Sequence, residues 1–339
     1  EGSDAVLTVD STLSTHAYNL LGNYRGAAVV MNYQTGEILA SVSKPGFDPY
    51  NLSQYKGDTD NEDSPLVNRA TMGRYTPGSV FKLITAAAAL EYYPDALTRT
   101  YTCKGELPVG ETVITDANGE VHGKLDLKRA FAVSCNNTFA TIGMDLGADK
   151  LKAEAEKFGF NNNFLFGDLL LYSSSYRSPT KKSDLGWSAV GQYKDLVTPL
   201  HMCMITAAVA NDGVMMEPKL LKHLVNVRGY DYQELKPAEY GRPLSAKNAK
   251  TLQDMMVLAV QSGTGSRARV AGWTVGGKTG TAEVSEDEDV SPNAWFVGFV
   301  KDEGHPICVA VVLENAGSGG SKAAPVAAGI LKKAKELGY

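Results

Sequence analysis

The sequence predicts an α+β fold: a mainly antiparallel sheet flanked by helices, with a mostly helical subdomain inserted between the two ends that build the sheet. Three observations predict it. Strand-like runs open and close the main part of the chain, at 26–44 and 273–315. Ala- and Leu-rich helical patterns fill the middle. With 339 residues, 43% hydrophobic and 21% charged, the chain can bury its own core without staples.

Residues 1–25 are expected to be the remnant of an N-terminal linker or non-catalytic region. The opening EGSDAVLTVD carries neither a starter methionine nor a charged-then-apolar leader. Residues 26–339 are the main domain, with sheet parts at 26–78 and about 214–339 and a helical part at about 79–213. The run GAAVVMNYQTGEILASVSK (26–44) holds two β-rich segments around the turn Gln34-Thr35-Gly36 and reads as a hairpin. Residues 45–75 are polar, with Pro45, Pro49 and Pro65, and read as loop. From Ser79 to about Tyr93 an apolar helix runs until Pro94 stops it.

Residues 124–146 show helical spacing interrupted at 134–137, and 150–159 is a Lys/Glu-rich surface helix ended by Gly159. Residues 161–186, rich in Asn and Ser, read as loop. Helices follow at 198–210, opened by Thr198-Pro199, and at 245–262, capped by Ser245. Then the period changes. WTVGGKTGTAEV, NAWFVGFV and PICVAVVLEN are three strands at close spacing, and Glu286-Asp287-Glu288-Asp289 is a solvated loop between the first two. A helix at 324–336 closes the chain.

A net charge of −5 and a pI near 5.6 give no basic face, which argues against nucleic acid as a partner. No apolar stretch reaches the ~18 residues of a membrane-spanning helix. Cys103, Cys135, Cys203 and Cys308 are spread without C-x-x-C, so no disulfide framework is read. The five histidines lack H-x-x-x-H spacing. No metal site is expected from them, and His122 and His201 read as structural. Gly263-x-Gly265-x-x-Ala268 follows a helix-like segment rather than a strand, which argues against a dinucleotide site, and no cofactor is expected.

The chemistry concentrates in three short motifs. S-x-x-K occurs at Ser41, Ser53, Ser79 and Ser178, but only Ser79-Val80-Phe81-Lys82 opens a strong helix, after Pro77-Gly78. Residues three apart on a helix share a face, so Lys82 can reach the Ser79 hydroxyl. The free N–H groups of a first turn suit a developing oxyanion, and Gly78 leaves room for a substrate. A neutral lysine at pH 7 costs about 4.6 kcal/mol if its pKa is unshifted. Burial and a second cation would lower that cost. Lys278, in the strand run Lys278-Thr279-Gly280-Thr281, is available as that cation. Ser134-Cys135-Asn136 stands at the break between two helical patterns, where polar residues need partners.

Taken in order, these motifs resemble those of penicillin-binding proteins and serine β-lactamases. The resemblance is closest to the transpeptidase domain of class B penicillin-binding proteins. It extends along TGEILA, PGSVFKL, HGKLDLKRAFAVSCNN, VTPLHMCMITAAVANDGVMMEP, GTGSRA, GGKTGTAE and AWFVGF. It implies that fold and peptidoglycan D,D-transpeptidase activity. Ser79 would be the nucleophile, Lys82 its base and Ser134 a proton relay. Asn136 would hold the substrate backbone, and Lys278 would be the second cation. Thr279, Gly280 and Thr281 would bind the substrate, with the N–H groups of Ser79 and Thr281 as the oxyanion hole. The implied ligands are stem peptides and β-lactam antibiotics. The implied setting is the extracytoplasmic face of the bacterial membrane, with an N-terminal anchor and a glycan polymerase as neighbour.

One departure stands out. Relatives usually read G-Q-G where this chain has Gly191-Gln192-Tyr193. The motifs also suit a D-alanyl-D-alanine carboxypeptidase or a serine β-lactamase. Residues 160–186 contain no glutamate to drive class A hydrolysis.

Overall fold

In the computed structural model the described residues are 2–55, 63–285, 287 and 289–339. The acidic pair Glu286 and Glu288 lies outside them, as does Lys56 of one S-x-x-K match. The first part of the chain forms β1 (Asp4–Leu7), α1 (Ser11–Leu20), β2 (Gly26–Asn32), β3 (Ile38–Lys44) and α2 (Lys82–Tyr92). Four short strands follow, β4 (Thr100–Cys103), β5 (Glu106–Val109), β6 (Thr112–Thr115) and β7 (Gly123–Asp126). The helices α3 (Leu127–Ala132), α4 (Asn136–Leu146), α5 (Ala148–Lys157), α6 (Lys182–Ala189) and α7 (Pro199–Ala210) come next. Then come β8 (Met215–Met216), β9 (Leu221–Val225), β10 (Asp231–Glu234), β11 (Glu239–Gly241) and α8 (Ala246–Ser262). The chain closes with β12 (Val275–Ala282), β13 (Asn293–Val300), β14 (Ile307–Leu313) and α9 (Ala323–Leu337).

The central sheet has the order β12-β13-β14-β2-β3, all antiparallel, so the ends of the chain meet where β14 pairs with β2. Strand side chains alternate between faces, and both faces are covered. Ala28, Val30, Phe296, Val309 and Val311 join Leu13, Ala17 and Leu21 around α1 and Ile330 and Leu331 of α9 in one core. Ala27, Val29, Met31, Val297, Ala310 and Val312 face the other way, into a larger core with α2, α4, α7 and α8. Residues 11–21, within the stretch read as a linker remnant, therefore pack into this domain as α1 and the turn after it.

Caps set several helix starts as the sequence suggests. The Thr198 side chain accepts the His201 N–H at the head of α7, and Ser245 accepts the Asn248 N–H at the head of α8. The helix expected from Ser79 differs: Gly78–Phe81 is a 3-10 turn, and α2 begins at Lys82. Gly78 has φ +56, and a Cβ there would lie 2.6 Å from the Thr281 carbonyl oxygen. Its glycine character serves this left-handed, close-packed start rather than substrate access alone.

Candidate active site

Three structures converge on one spot: the 3-10 turn at Gly78–Phe81, the break between α3 and α4, and the edge strand β12. In a 3-10 turn residues i and i+3 eclipse, so Ser79 and Lys82 are aligned more directly than α-helical spacing would place them. Ser79 is half-buried, and among the described residues its hydroxyl has no hydrogen-bond partner. It does not act as a helix cap.

The break is made by Ser134, whose backbone sits in the left-handed region at φ +61. Cys135 then caps α4, its sulfur accepting the Thr138 N–H. This geometry aims Ser134 and Asn136 at Lys82. The Lys82 ammonium, fully buried, donates to the Ser134 carbonyl at 2.6 Å, to the Ser134 Oγ at 3.2 Å and to Asn136 Oδ1 at 2.6 Å. Asn136 is held from behind. Its Nδ2 donates to the Thr115 carbonyl at 2.8 Å, and its backbone N–H donates to the buried Asp116 carboxylate.

From the opposite side Lys278 Nζ donates to the same Ser134 Oγ at 2.8 Å and to the Thr279 carbonyl at 2.9 Å. One hydroxyl thus lies between two buried lysines. Burial pushes Lys82 down to about 8. Burial, then the charge on Lys82, pushes Lys278 well below the ordinary lysine range. The two buried ammonium groups lie on opposite sides of one hydroxyl, so charge on either one disfavours charge on the other.

β12 pairs with β13 without a register shift, so its side-chain parity holds. Lys278 and Gly280 face the nucleophile turn. A Cβ on Gly280 would lie 2.9 Å from Trp295 Cβ and 3.0 Å from the Pro77 oxygen. Thr279 Oγ1 meets Thr264 Oγ1 at 2.6 Å, and Thr281 Oγ1 accepts the Gly319 N–H at 3.3 Å. The Thr281 carbonyl accepts Gln192 Nε2 at 3.0 Å, away from β13. A strand residue's N–H and C=O point to the same edge, so the Thr281 N–H faces the site beside Ser79.

The loop with the unusual tyrosine ties these parts together. The Gly191 carbonyl accepts the Gly78 N–H at 2.9 Å, and Gln192 holds Thr281. Tyr193 is half-buried, with the Lys194 ammonium 5.6 Å from its ring. Both ties, one from the Gly191 backbone and one from the Gln192 side chain, precede it. Gly191 has φ +80, and a Cβ there would lie 2.1 Å from the Gly78 oxygen. Gly191→Ala is therefore expected to cost about 2–4 kcal/mol and to slow acylation of Ser79. Thermal unfolding checks the first part, and an unchanged melting temperature would show that the loop can yield.

Of the residues singled out from the sequence, Lys82, Ser134, Asn136 and Lys278 form one hydrogen-bonded group, and Ser79, Gly280 and Thr281 border it. Asp116 and Gly319, which carry no motif, were not singled out from the sequence, and Gln192 and Thr264 lie in the stretches Gly191-Gln192-Tyr193 and GTGSRA without having been given a role; all four hold the group in place. His201 is structural, buried between Ser174 Oγ at 2.7 Å and the Phe158 carbonyl at 2.8 Å, and burial pushes it down to about 4. All four cysteines are buried free thiols. Among the described residues one group could hold a metal: Cys103, Asp116, His122 and Cys135 place ligand atoms within 4.8 Å of one another. The absence of H-x-x-x-H spacing, on which no metal site was expected, is blind to it, because the four residues come from four separate segments.

Known proteins agree with this geometry. The family described as penicillin binding protein transpeptidase domain matches residues 26–332. The chain is 35% identical over 324 residues to a peptidoglycan D,D-transpeptidase PbpA of Mycolicibacterium smegmatis, covering 90% of this chain and 66% of that protein. It thus spans just under two thirds of that relative. The D,D-transpeptidase domain of a peptidoglycan glycosyltransferase from Eggerthella lenta superposes with a TM-score of 0.91 at 33% identity, over 99% of this chain and 84% of that one. The penicillin G acyl-enzyme complex of penicillin-binding protein A from M. tuberculosis superposes with a TM-score of 0.90 at 29% identity, over 99% and 81%. With a serine on a 3-10 turn, a lysine pair around a second serine and a K-T-G edge strand all assembled on that fold, the chain belongs to the penicillin-binding protein transpeptidase family.

Proposed function

We propose that this chain is the catalytic domain of a peptidoglycan D,D-transpeptidase that works through a Ser79 acyl-enzyme. The observation that carries the reading is the Ser134 hydroxyl lying between Lys82 and Lys278 beside an unpartnered Ser79. Ser79 Oγ attacks the carbonyl between the last two D-alanines of a stem peptide and gives its proton to Lys82. The oxyanion is met by the N–H groups of Ser79 and Thr281. Ser134 passes a proton to the departing D-alanine nitrogen, and the C–N bond breaks to leave an ester on Ser79. Asn136 holds the peptide backbone, while Lys278, Thr279 and Thr281 take the terminal carboxylate. An amine from a neighbouring stem then displaces Ser79. A β-lactam opens its ring on Ser79 and stays as the ester.

The reading includes action outside the cytoplasmic membrane by a chain anchored through an N-terminal segment, with a glycan polymerase as neighbour. The resemblance supports both. No helix among the described residues is long and apolar enough to cross a membrane.

The test supplies a pentapeptide ending in D-Ala-D-Ala together with an acceptor stem peptide, and separates products by mass. A cross-linked dimer with one D-alanine released per bond is expected. Tetrapeptide alone would make water the acceptor and the protein a carboxypeptidase. No D-alanine release would overturn the reading.

A further inference from the structure

We infer, taking Ser79 as the nucleophile proposed above, that Glu314 is a positioning residue for acylation: its carboxylate fixes the approach to the Ser79 turn through the Tyr75 hydroxyl. Glu314 follows the last residue of β14, and its backbone N–H donates to the Arg25 carbonyl at 2.8 Å, beside the start of β2. It therefore stands on the middle of the central sheet, where the two ends of the chain pair. Its Oε1 accepts the Tyr75 hydroxyl at 2.7 Å and Arg69 Nε at 2.7 Å, and its Oε2 lies 3.1 Å from Arg25 Nε. Both oxygens are thus engaged in charge-assisted contacts. Burial, then the charge on Glu314, pushes Tyr75 far above the ordinary tyrosine range, so the hydroxyl keeps its proton and stays a donor.

The need for such a clamp lies in the chain that leads to the nucleophile. Residues 63–77 form no helix, and their one strand-like pairing is the bridge between Tyr75 and Val197. With so little backbone pairing, side chains must fix the course of this segment. Arg69 is buried at 4% exposure. While its Nε meets Glu314, its terminal nitrogens donate to the carbonyls of Ser64 at 3.2 Å and Asp63 at 2.7 Å. Closer to Ser79, the Tyr75 ring stands edge-on to Trp295 with centroids 6.0 Å apart, and Trp295 Nε1 donates to the Thr76 carbonyl at 3.1 Å. The Gly78 N–H then meets the Gly191 carbonyl. Glu314 on Tyr75, Trp295 on Thr76 and Gly191 on Gly78 are successive ties along one short approach. Of these, only the Glu314 tie can be cut by removing a single oxygen atom, in Tyr75→Phe.

Glu314 acts through Tyr75 and not on the substrate. A nucleophile must sit about 3–3.5 Å from the carbonyl it attacks, and a misplacement of about 1 Å can cost 10²-fold. The groups proposed to take the substrate carboxylate, Lys278, Thr279 and Thr281, belong to β12 and are held by its pairing with β13. A loosened approach to Ser79 should therefore weaken the chemical step and spare the first binding step.

The test is stopped-flow acylation by benzylpenicillin across drug concentration, which separates the acylation rate constant from the dissociation constant of the first complex. Tyr75→Phe keeps the ring against Trp295. With the other ties left in place, it is expected to slow the rate constant about tenfold. The dissociation constant and the pH dependence should stay as in the wild type. Glu314→Asp keeps the charge and draws it back by one methylene. It should slow the step at least as much, and adding Tyr75→Phe to it should cost nothing further, since both act through one bond. A Tyr75→Phe rate constant equal to that of the wild type would overturn the inference. So would additive losses, or a loss that falls on the dissociation constant alone. Tyr75→Phe decides the matter even if Glu314→Asp fails to fold. A wild type that never acylates would remove the proposed function and this role with it, whereas a wild type that acylates beside an equally fast Tyr75→Phe would overturn this role alone.

Discussion

Ser79→Ala is expected to abolish covalent capture of benzylpenicillin, read as intact mass over hours beside the wild type. The wild type should gain the mass of one penicillin and keep it. Removing the nucleophile of a serine hydrolase costs on the order of 10⁶-fold, so no slow residual adduct is expected on the variant. The fold should survive. Ser79 is half-buried on a turn anchored by Gly78 and Phe81, and its hydroxyl holds nothing among the described residues. A persistent adduct on Ser79→Ala would place the nucleophile elsewhere. Drug consumed without an adduct on the wild type would mean fast deacylation and a β-lactamase, the outcome that the glutamate-free stretch 160–186 argues against.

The second large effect concerns Lys82. Its ammonium titrates near 8 because it is buried, and a base acts only when unprotonated. The acylation rate should therefore rise about tenfold per pH unit up to roughly pH 7 and level off above about 8. Lys82→Ala should remove about 10²- to 10⁴-fold and flatten that limb. Lys278→Ala should behave differently. A substrate carboxylate near Lys278 favours its charged form, and that charge in turn favours loss of the proton from Lys82 through the shared Ser134 hydroxyl. Without Lys278 the limb should persist but move to higher pH, with weaker capture of the drug. Stopped-flow acylation across pH 6–9 checks all three proteins. A flat wild-type profile would overturn the role of Lys82.

Much of this site was legible because its chemistry needs particular residue types at fixed local spacing. S-x-x-K, S-x-N and K-T-G each sit within one turn or strand, so apolar spacing placed them on their elements, and the resemblance supplied their roles. The break at Ser134 was readable as a lapse in apolar spacing. What could not be read is what holds the motifs from a distance. Asp116 reaches Asn136, Gln192 reaches Thr281 and Thr264 reaches Thr279, and none of these pairs is local. The 3-10 geometry was hidden for a different reason: Gly78 takes its left-handed form only because β12 packs against it. The small strands β4 to β7 were missed because they are four residues each and half exposed, with weak alternation. The helix α1 was missed because polar residues outnumber its two buried apolar ones, Leu13 and Ala17.

The pairing of β14 with β2 has a consequence for how the molecule is made. Asn32 lies opposite Ile307, so the sheet cannot close until β14 has left the ribosome. Contacts of such long sequence separation make folding slow. The helical middle can consolidate early, while β2 and β3 wait as an open hairpin with an apolar edge. Lys278 arrives with the last strands. The lysine pair is thus the final part of the machinery to assemble, and chains stopped before β12 would hold Ser79 without it.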